Sequence, residues 1–204
     1  KFQKTHKHVH ILPGKKEGLG KALLRGMTYA IQSLSADILV QMDADLSHDP
    51  AALPSLFDRL ASGADFVIGS RYVKGGSIPP NWGVHRKIYS KVGNAIVRYG
   101  LGFPKIHDWT GGYRVIRKKY FEQARTKMAK YSGYVFQMAF LYTSILNGAV
   151  VAEVPIQFTD RRFGHSKIAP LEYIINIYLY IFTERMKRMI SHQFIRFAMV
   201  GTVG

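Results

Sequence analysis

Between Glu17 and Leu34, the residues Leu19, Leu23, Met27 and Ile31 recur every fourth position, with Ala22, Ala30 and Leu34 beside them. That spacing predicts an amphipathic helix. Ahead of it, HVHIL (8–12) is short and β-rich and runs into Pro13-Gly14, which reads as a strand and a turn. ADILVQMDAD (36–45) is apolar and continuous up to its acids, as a buried parallel strand would be. Asp49-Pro50 reads as an N-cap followed by proline at the first helical position, and Leu53, Leu56, Phe57 and Leu60 mark the helix behind it. ADFVIGSRY (64–72) predicts a second buried strand, Ile88, Val92, Ile96 and Tyr99 a helix over 86–99, and GGYRVI (111–116) a third strand. GYVFQMAFLYTSIL (133–146) is apolar nearly all round, as a buried helix is. VVAEVPIQF (150–158) alternates, and Pro155 marks it as an edge strand. Strands alternating with helices predict an α/β sandwich with a mostly parallel central sheet.

Two later stretches depart from this pattern. YIINIYLYIF (173–182) is apolar but too short to span a bilayer, and Arg185, Lys187 and Arg188 follow it. A helix lying on a membrane surface suits that composition, with its basic end toward anionic headgroups. FIRFAMVGTVG (194–204) reads as the first half of a membrane helix.

The 204 residues suffice for one domain with a sizeable core. Twenty-nine Lys and Arg against 13 Asp and Glu give a net charge of +16, which suits a polyanionic partner or a phosphorylated substrate. The absence of cysteine excludes disulfides and thiolate metal sites, so any metal must be held by oxygen or imidazole. KFQKTHKHVH (1–10) is polar and basic with no apolar run behind it, so it does not read as a signal peptide.

Against that positive excess, Asp43 and Asp45 stand one residue apart at the end of an apolar run. Residues i and i+2 of a strand point to the same side. Two carboxylates so placed, at the carboxyl end of a strand in an α/β sheet, form an oxygen clamp for Mg²⁺ or Mn²⁺. The cation would cancel their repulsion and bridge a substrate diphosphate. A solvated loop capping the next helix is the bland alternative for a D-x-D string taken alone. Similarly, Lys87, Lys91 and Arg98 are explained by a solvated helix face.

Seven segments in order then resemble the family-2 glycosyltransferases of GT-A fold, of the dolichol-phosphate (polyprenol-phosphate) mannose synthase type. They are GKKEGLGKALLRGM (14–27), QMDADLSHDP (41–50), DFVIGSRYVKGG (65–76), HRKIYSKVGN (85–94), DWTGGYRVIRK (108–118), GYVFQMAF (133–140) and EVPIQFTDRRFGHSK (153–167). The resemblance implies a Rossmann-like GT-A sandwich and inverting transfer of mannose from GDP-mannose to the phosphate of a membrane polyprenol. It implies Asp43 and Asp45 as metal- and diphosphate-binding acids, with Ser47 where some members carry a metal-touching Gln. Arg71, Arg86 and Ser90 match positions that hold the acceptor phosphate. Arg161 and Lys167 lie in a loop expected to close over donor and acceptor, Arg161 toward the acceptor phosphate and Lys167 toward the donor diphosphate. Asp45, Arg71 and Asp108 are the catalytic candidates. Asp108 reads equally well as a cap that holds Gly111 and Gly112, because an acceptor phosphate is already an anion and needs no base.

On this reading residues 1–168 are a partial GT-A domain lacking its first strands, 169–192 are interface helices, and 193–204 begin a truncated GtrA-like membrane segment. The expected partners are GDP-mannose, polyprenyl or dolichyl phosphate and a membrane surface, with no nucleic acid. The expected place is the cytoplasmic face of a membrane, with little activity from this piece alone. Two other readings remain: a sibling transferase using UDP-glucose or another nucleotide sugar, and a non-catalytic basic module for membrane or nucleic acid.

Overall fold

The computed structural model describes residues 5–160 and 170–200, with side chains over 5–160 and 174–190. The elements run α1 (Leu19–Leu34), β1 (Ile38–Gln41), a 3-10 turn (Pro50–Ala52), α2 (Leu53–Ala61), β2 (Phe66–Ser70), α3 (Val84–Gly100), β3 (Arg114–Arg117), α4 (Lys118–Met128), α5 (Gly133–Leu146), β4 (Val151–Pro155) and α6 (Pro170–Val200). The expected strand at 8–12 does not form; HVHIL pairs with no strand among the described residues. Helix α4, unread in the sequence, does form, and buries Tyr120, Phe121, Ala124 and Met128.

The four strands make one sheet in the order β1-β3-β2-β4. It is mixed rather than mostly parallel: β3 runs antiparallel to both β1 and β2, and only β2 and β4 pair in parallel. β1 and β2 nonetheless point the same way, because each opposes the strand between them. The carboxyl ends of β1, β2 and β4 therefore lie along one rim, beside the chain entering β3. β4 is an edge strand, as Pro155 led us to expect. β1 lies at the other edge and buries only Leu39 and Gln41, leaving Ile38 and Val40 out, so it is not the two-sided buried strand its apolar run suggested.

β2 is buried along its whole length. Its alternation feeds two cores: Phe66 and Ile68 face the larger one, with Phe121, Phe136 and Phe140 from α4 and α5. Val67 faces the smaller, with Leu56 and Leu60 of α2. Burying each such side chain contributes about 1.5–3 kcal/mol, and together they fix the rim on which the candidate site stands.

Helix α6 is one unbroken helix over Pro170–Val200. Ile177, Tyr180 and Ile181 pack inward, while Ile175, Leu179, Phe182 and Met186 are exposed. Among the described residues no helix is long and apolar enough to cross a membrane. Residues 161–169 and 201–204 lie outside the described residues, and with them Arg161 and Lys167.

Candidate active site

The acid loop leaves β1 at Gln41. The Asp43 N–H donates to Nδ1 of His48 at 3.0 Å. That nitrogen must then be unprotonated, and burial together with Arg71 lowers the His48 pKa against the pull of Asp43. The ring is buried and stacks on Tyr113 at 4.9 Å. One oxygen of Asp45 accepts both the Ser47 N–H at 3.1 Å and the Ser47 hydroxyl at 2.5 Å. Ser47 is buried, so its hydroxyl orients Asp45 in this structure. The loop ends in the expected cap, the Asp49 carboxylate accepting the Ala51 N–H at 2.9 Å.

The carboxyl end of β2 supplies Arg71 and Tyr72. Arg71 grips Asp108 with Nε and Nη2, both at 2.7 Å, and its own N–H donates to the same carboxylate at 3.1 Å. Asp108 also accepts the N–H groups of Thr110 and Gly111. Burial alone would raise the Asp108 pKa; the Arg71 charge and these donors hold it below the usual carboxylate range. With no exposed surface and five donors on two oxygens, Asp108 ties Arg71 to the 108–111 loop. Arg71 spends two of its three guanidinium nitrogens on that pair and on Thr110 Oγ1 at 2.8 Å, which limits what it offers a phosphate.

Helix α3 carries the other basic group. Arg86 lies over the Trp82 ring at 3.8 Å and pairs loosely with Asp160 at 3.7 Å. Its side chain is 40% exposed, so its fork remains open to a ligand. One turn on, Ser90 shares a 2.5 Å hydrogen bond with the Tyr72 hydroxyl. The structure thus brings Ser90 beside the residue that follows Arg71.

The segment after β4 ties these groups together. The Phe158 ring sits 5.5 Å from the Arg71 guanidinium and 5.4 Å from the His48 ring. Thr159 donates its hydroxyl to the Leu46 carbonyl at 3.1 Å and its N–H to that of Ser47 at 3.3 Å. Asp160 reaches Arg86. The acid loop, the β2 end and α3 therefore meet around residues 158–160.

Sequence reasoning missed three supports of this site. Asn94 donates to the Ser90 carbonyl and accepts the Trp109 N–H, joining α3 to the 108–112 loop. Arg114 is fully buried and donates to three backbone carbonyls, those of Trp109, Gly111 and Gln137. Glu153 of β4 accepts the N–H groups of His107 and Asp108 and the His107 ring. Asn94, Arg114 and Glu153 all lie inside the resembling segments, and that was their only signal. Glu153→Ala leaves two main-chain donors without their acceptor, and is expected to cost about 2–4 kcal/mol in urea unfolding; an unchanged midpoint would show that water replaces the carboxylate.

A dication fits the donor set. Asp43, Asp45 and the Ser47 hydroxyl are all oxygen ligands, the kind Mg²⁺ and Mn²⁺ take alongside substrate phosphates. Gly112 faces the Asp43 carboxylate: a Cβ there would stand 3.6 Å from both oxygens, so glycine leaves that flank open. Among the described residues no group of three or more His, Cys, Asp or Glu gathers that could hold an ion unaided.

The model of the family described as Glycosyl transferase family 2 matches residues 1–125. The chain belongs to this family. A polyprenol monophosphomannose synthase of Mycolicibacterium smegmatis is 42% identical to this family-2 chain over 162 residues, covering 79% of it and 60% of the relative. An undecaprenyl-phosphate mannosyltransferase of Micrococcus luteus is 38% identical, covering 79% and 65%. A dolichol-phosphate mannosyltransferase of Pyrococcus furiosus is 36% identical, covering 80% and 45%. The family-2 chain thus spans between about half and two thirds of the length of these curated relatives. Among solved structures, glucosyl-3-phosphoglycerate synthase from Mycobacterium tuberculosis, with Mn²⁺, UDP-glucose and glycerol 3-phosphate, superposes with a TM-score of 0.54 at 18% identity, covering 88% of this chain and 58% of that one. The same enzyme with Mg²⁺ and UDP gives 0.52 at 19% identity over the same shares. These likenesses establish a GT-A-like α/β fold.

Proposed function

We propose that the protein works in metal-dependent, inverting transfer of mannose from GDP-mannose to a membrane polyprenyl phosphate. The observation that supports this reading is that the acid loop, Arg71 and Arg86 all contact residues 158–160: Thr159 bonds to Leu46, the Phe158 ring lies by Arg71, and Asp160 pairs with Arg86. The names of the three curated relatives support the lipid-phosphate acceptor and the mannosyl group.

In this reading Asp43 and Asp45 hold Mg²⁺ or Mn²⁺, and Ser47 keeps Asp45 aimed. When bound, the ion would take up negative charge on the departing diphosphate. Arg86 supplies the open guanidinium fork for the acceptor phosphate, and Ser90 and Tyr72 supply hydroxyls beside it. Arg71 adds one guanidinium edge, while Asp108 keeps that side chain in place. The acceptor phosphate attacks as an anion, so what the protein contributes is position and charge compensation. Arg161 and Lys167 remain proposed contacts to acceptor and donor. The exposed apolar side of α6, followed by Arg185 and Arg188, supports a peripheral position on a membrane.

The test is transfer of labelled mannose from GDP-mannose into polyprenyl phosphate by the protein in its full reading frame. An organic-extractable mannolipid that needs Mn²⁺ or Mg²⁺ is the expected result. Label appearing only from UDP-glucose would overturn the donor, and no lipid product from any nucleotide sugar would overturn the reaction.

A further inference from the structure

Trp82 stands one residue before Gly83, the N-cap of α3, and four before Arg86. Its ring is buried, yet its indole N–H finds no acceptor among the described residues. An N–H so placed costs stability, and an apolar side chain filling the same space would not carry that cost. What the indole offers here is its face. The Arg86 guanidinium lies over it at 3.8 Å, and indole is the strongest aromatic face for a cation. Arg86 needs such a hold. It lies in the first turn of α3, which has no acidic residue, and there the positive end of the helix dipole opposes a cation. Its ion pair with Asp160 is 3.7 Å long, beyond a hydrogen bond, and its side chain is partly exposed. A long side chain tied so loosely must be ordered by any anion that binds it. The indole face orders it beforehand and leaves the edge of the fork open.

The indole is itself held firmly. Pro79 and Pro80 precede it closely, and their φ angles are fixed. The Trp82 main-chain N–H donates to the Pro79 carbonyl at 3.2 Å, and Lys87 of α3 donates to the Pro80 carbonyl at 2.7 Å. The Ser77 N–H donates to the Ile156 carbonyl and the Phe158 N–H to that of Ser77, so this segment is strapped to the chain leaving β4. Trp82 also meets the Phe158 ring edge to face at 6.0 Å. Phe158 in turn carries the Arg71 guanidinium at 5.5 Å. Two guanidinium groups of like charge thus rest on two adjoining rings.

We propose that Trp82 is a positioning residue for the acceptor phosphate: its indole face keeps Arg86 ordered, and its contact with Phe158 sets the spacing of Arg86 from Arg71. The assignment rests on the reading above in which Arg86 receives a lipid phosphate. Trp82 touches neither donor nor acceptor in this scheme and acts through the guanidinium it carries.

The experiment is calorimetric titration of the protein, in its full reading frame and in detergent, with farnesyl phosphate, a short polyprenyl phosphate; it needs neither donor nor turnover. Trp82→Leu is expected to raise the dissociation constant about tenfold, and Trp82→Phe, which keeps a ring, about threefold or less. Arg86→Met should weaken binding at least as much as Trp82→Leu. Joining the two should add less than about twofold, because the indole acts only through the guanidinium. A wild-type constant for Trp82→Leu beside a weak Arg86→Met overturns the proposal and leaves the acceptor reading standing. So do losses that multiply in the double variant, the mark of a ring that serves packing alone. A wild-type constant for Arg86→Met, or wild-type protein that binds farnesyl phosphate no better than farnesol, overturns the acceptor role of Arg86 and this proposal with it. If Trp82→Leu does not fold, indole emission decides: saturating farnesyl phosphate should change it in the wild type and not in Trp82→Phe, and an unchanged wild-type emission overturns the proposal.

Discussion

Asp108→Asn is expected to lower folding stability by about 3–5 kcal/mol, a fall in melting temperature of roughly 6–20 °C for a chain of this size. The substitution barely changes shape. It removes the charge opposite Arg71, which is 9% exposed and pairs with no other carboxylate among the described residues. A guanidinium left buried without its counter-ion costs far more than an exposed pair is worth, because water cannot reach in to replace the partner. The amide also turns a donor toward groups that are donors themselves. The acid limb of the stability curve carries the same information. The Asp108 pKa is depressed in the folded protein, so its contribution is complete above the unfolded carboxylate value near pH 4 and is lost as pH falls below that toward the folded value. Wild type should lose this increment on acidification, and the asparagine variant should have none to lose. Urea unfolding across pH 2–6 measures both, and a variant within about 1 kcal/mol of wild type would mean the pair is dispensable.

Asp43→Asn should act oppositely: transfer falls by at least about 100-fold while the unfolding midpoint stays within about 1 kcal/mol. The Asp43 side chain is half-buried, and the hydrogen bond that fixes this residue runs through its main-chain N–H to His48, which the amide keeps. On the proposed reading, what the variant loses is one of two negative oxygen ligands. Asp45→Asn should lose as much activity and somewhat more stability, since Ser47 donates twice to that carboxylate. Comparing transfer rates at rising Mn²⁺ separates a ligand from a bystander: a ligand variant should recover part of its rate at high metal. A basic module that merely binds anionic surfaces would bind equally well with either substitution.

Much of this arrangement was legible because it is local. The helix stripe of α1, the Asp49-Pro50 cap and the all-round apolar α5 are each written within one element, and each formed as expected. The acid loop was placed correctly at the end of β1. The reversed direction of β3 was not legible, since GGYRVI alternates the same way whichever way its neighbours run. HVHIL had strand-like residues but found no partner strand, and β propensity without a neighbour holds nothing. α4 escaped notice because its four buried positions are spread among Lys, Glu, Gln and Arg. The pairing of Arg71 with Asp108 joins residues 37 apart, and Glu153 reaches back 45 to hold the Asp108 N–H. No periodicity encodes such contacts, which arise only when the rim of the sheet is assembled. The reading of Asp108 as a cap rested on two glycines nearby, and Gly111 is indeed one of its donors.

The one-sided burial of β1 has a consequence for handling the molecule. Ile38 and Val40, 38% and 43% exposed, lie on an outermost strand of the sheet, with Met42 beyond them at 41%. A strand so situated is a template on which another extended segment can be laid, whether from a neighbouring molecule or from added sequence. Solutions of this chain should therefore cloud or self-associate first through that border as they are concentrated, and a lysine at Val40 is the smallest blunt edge that leaves the acids beyond it alone.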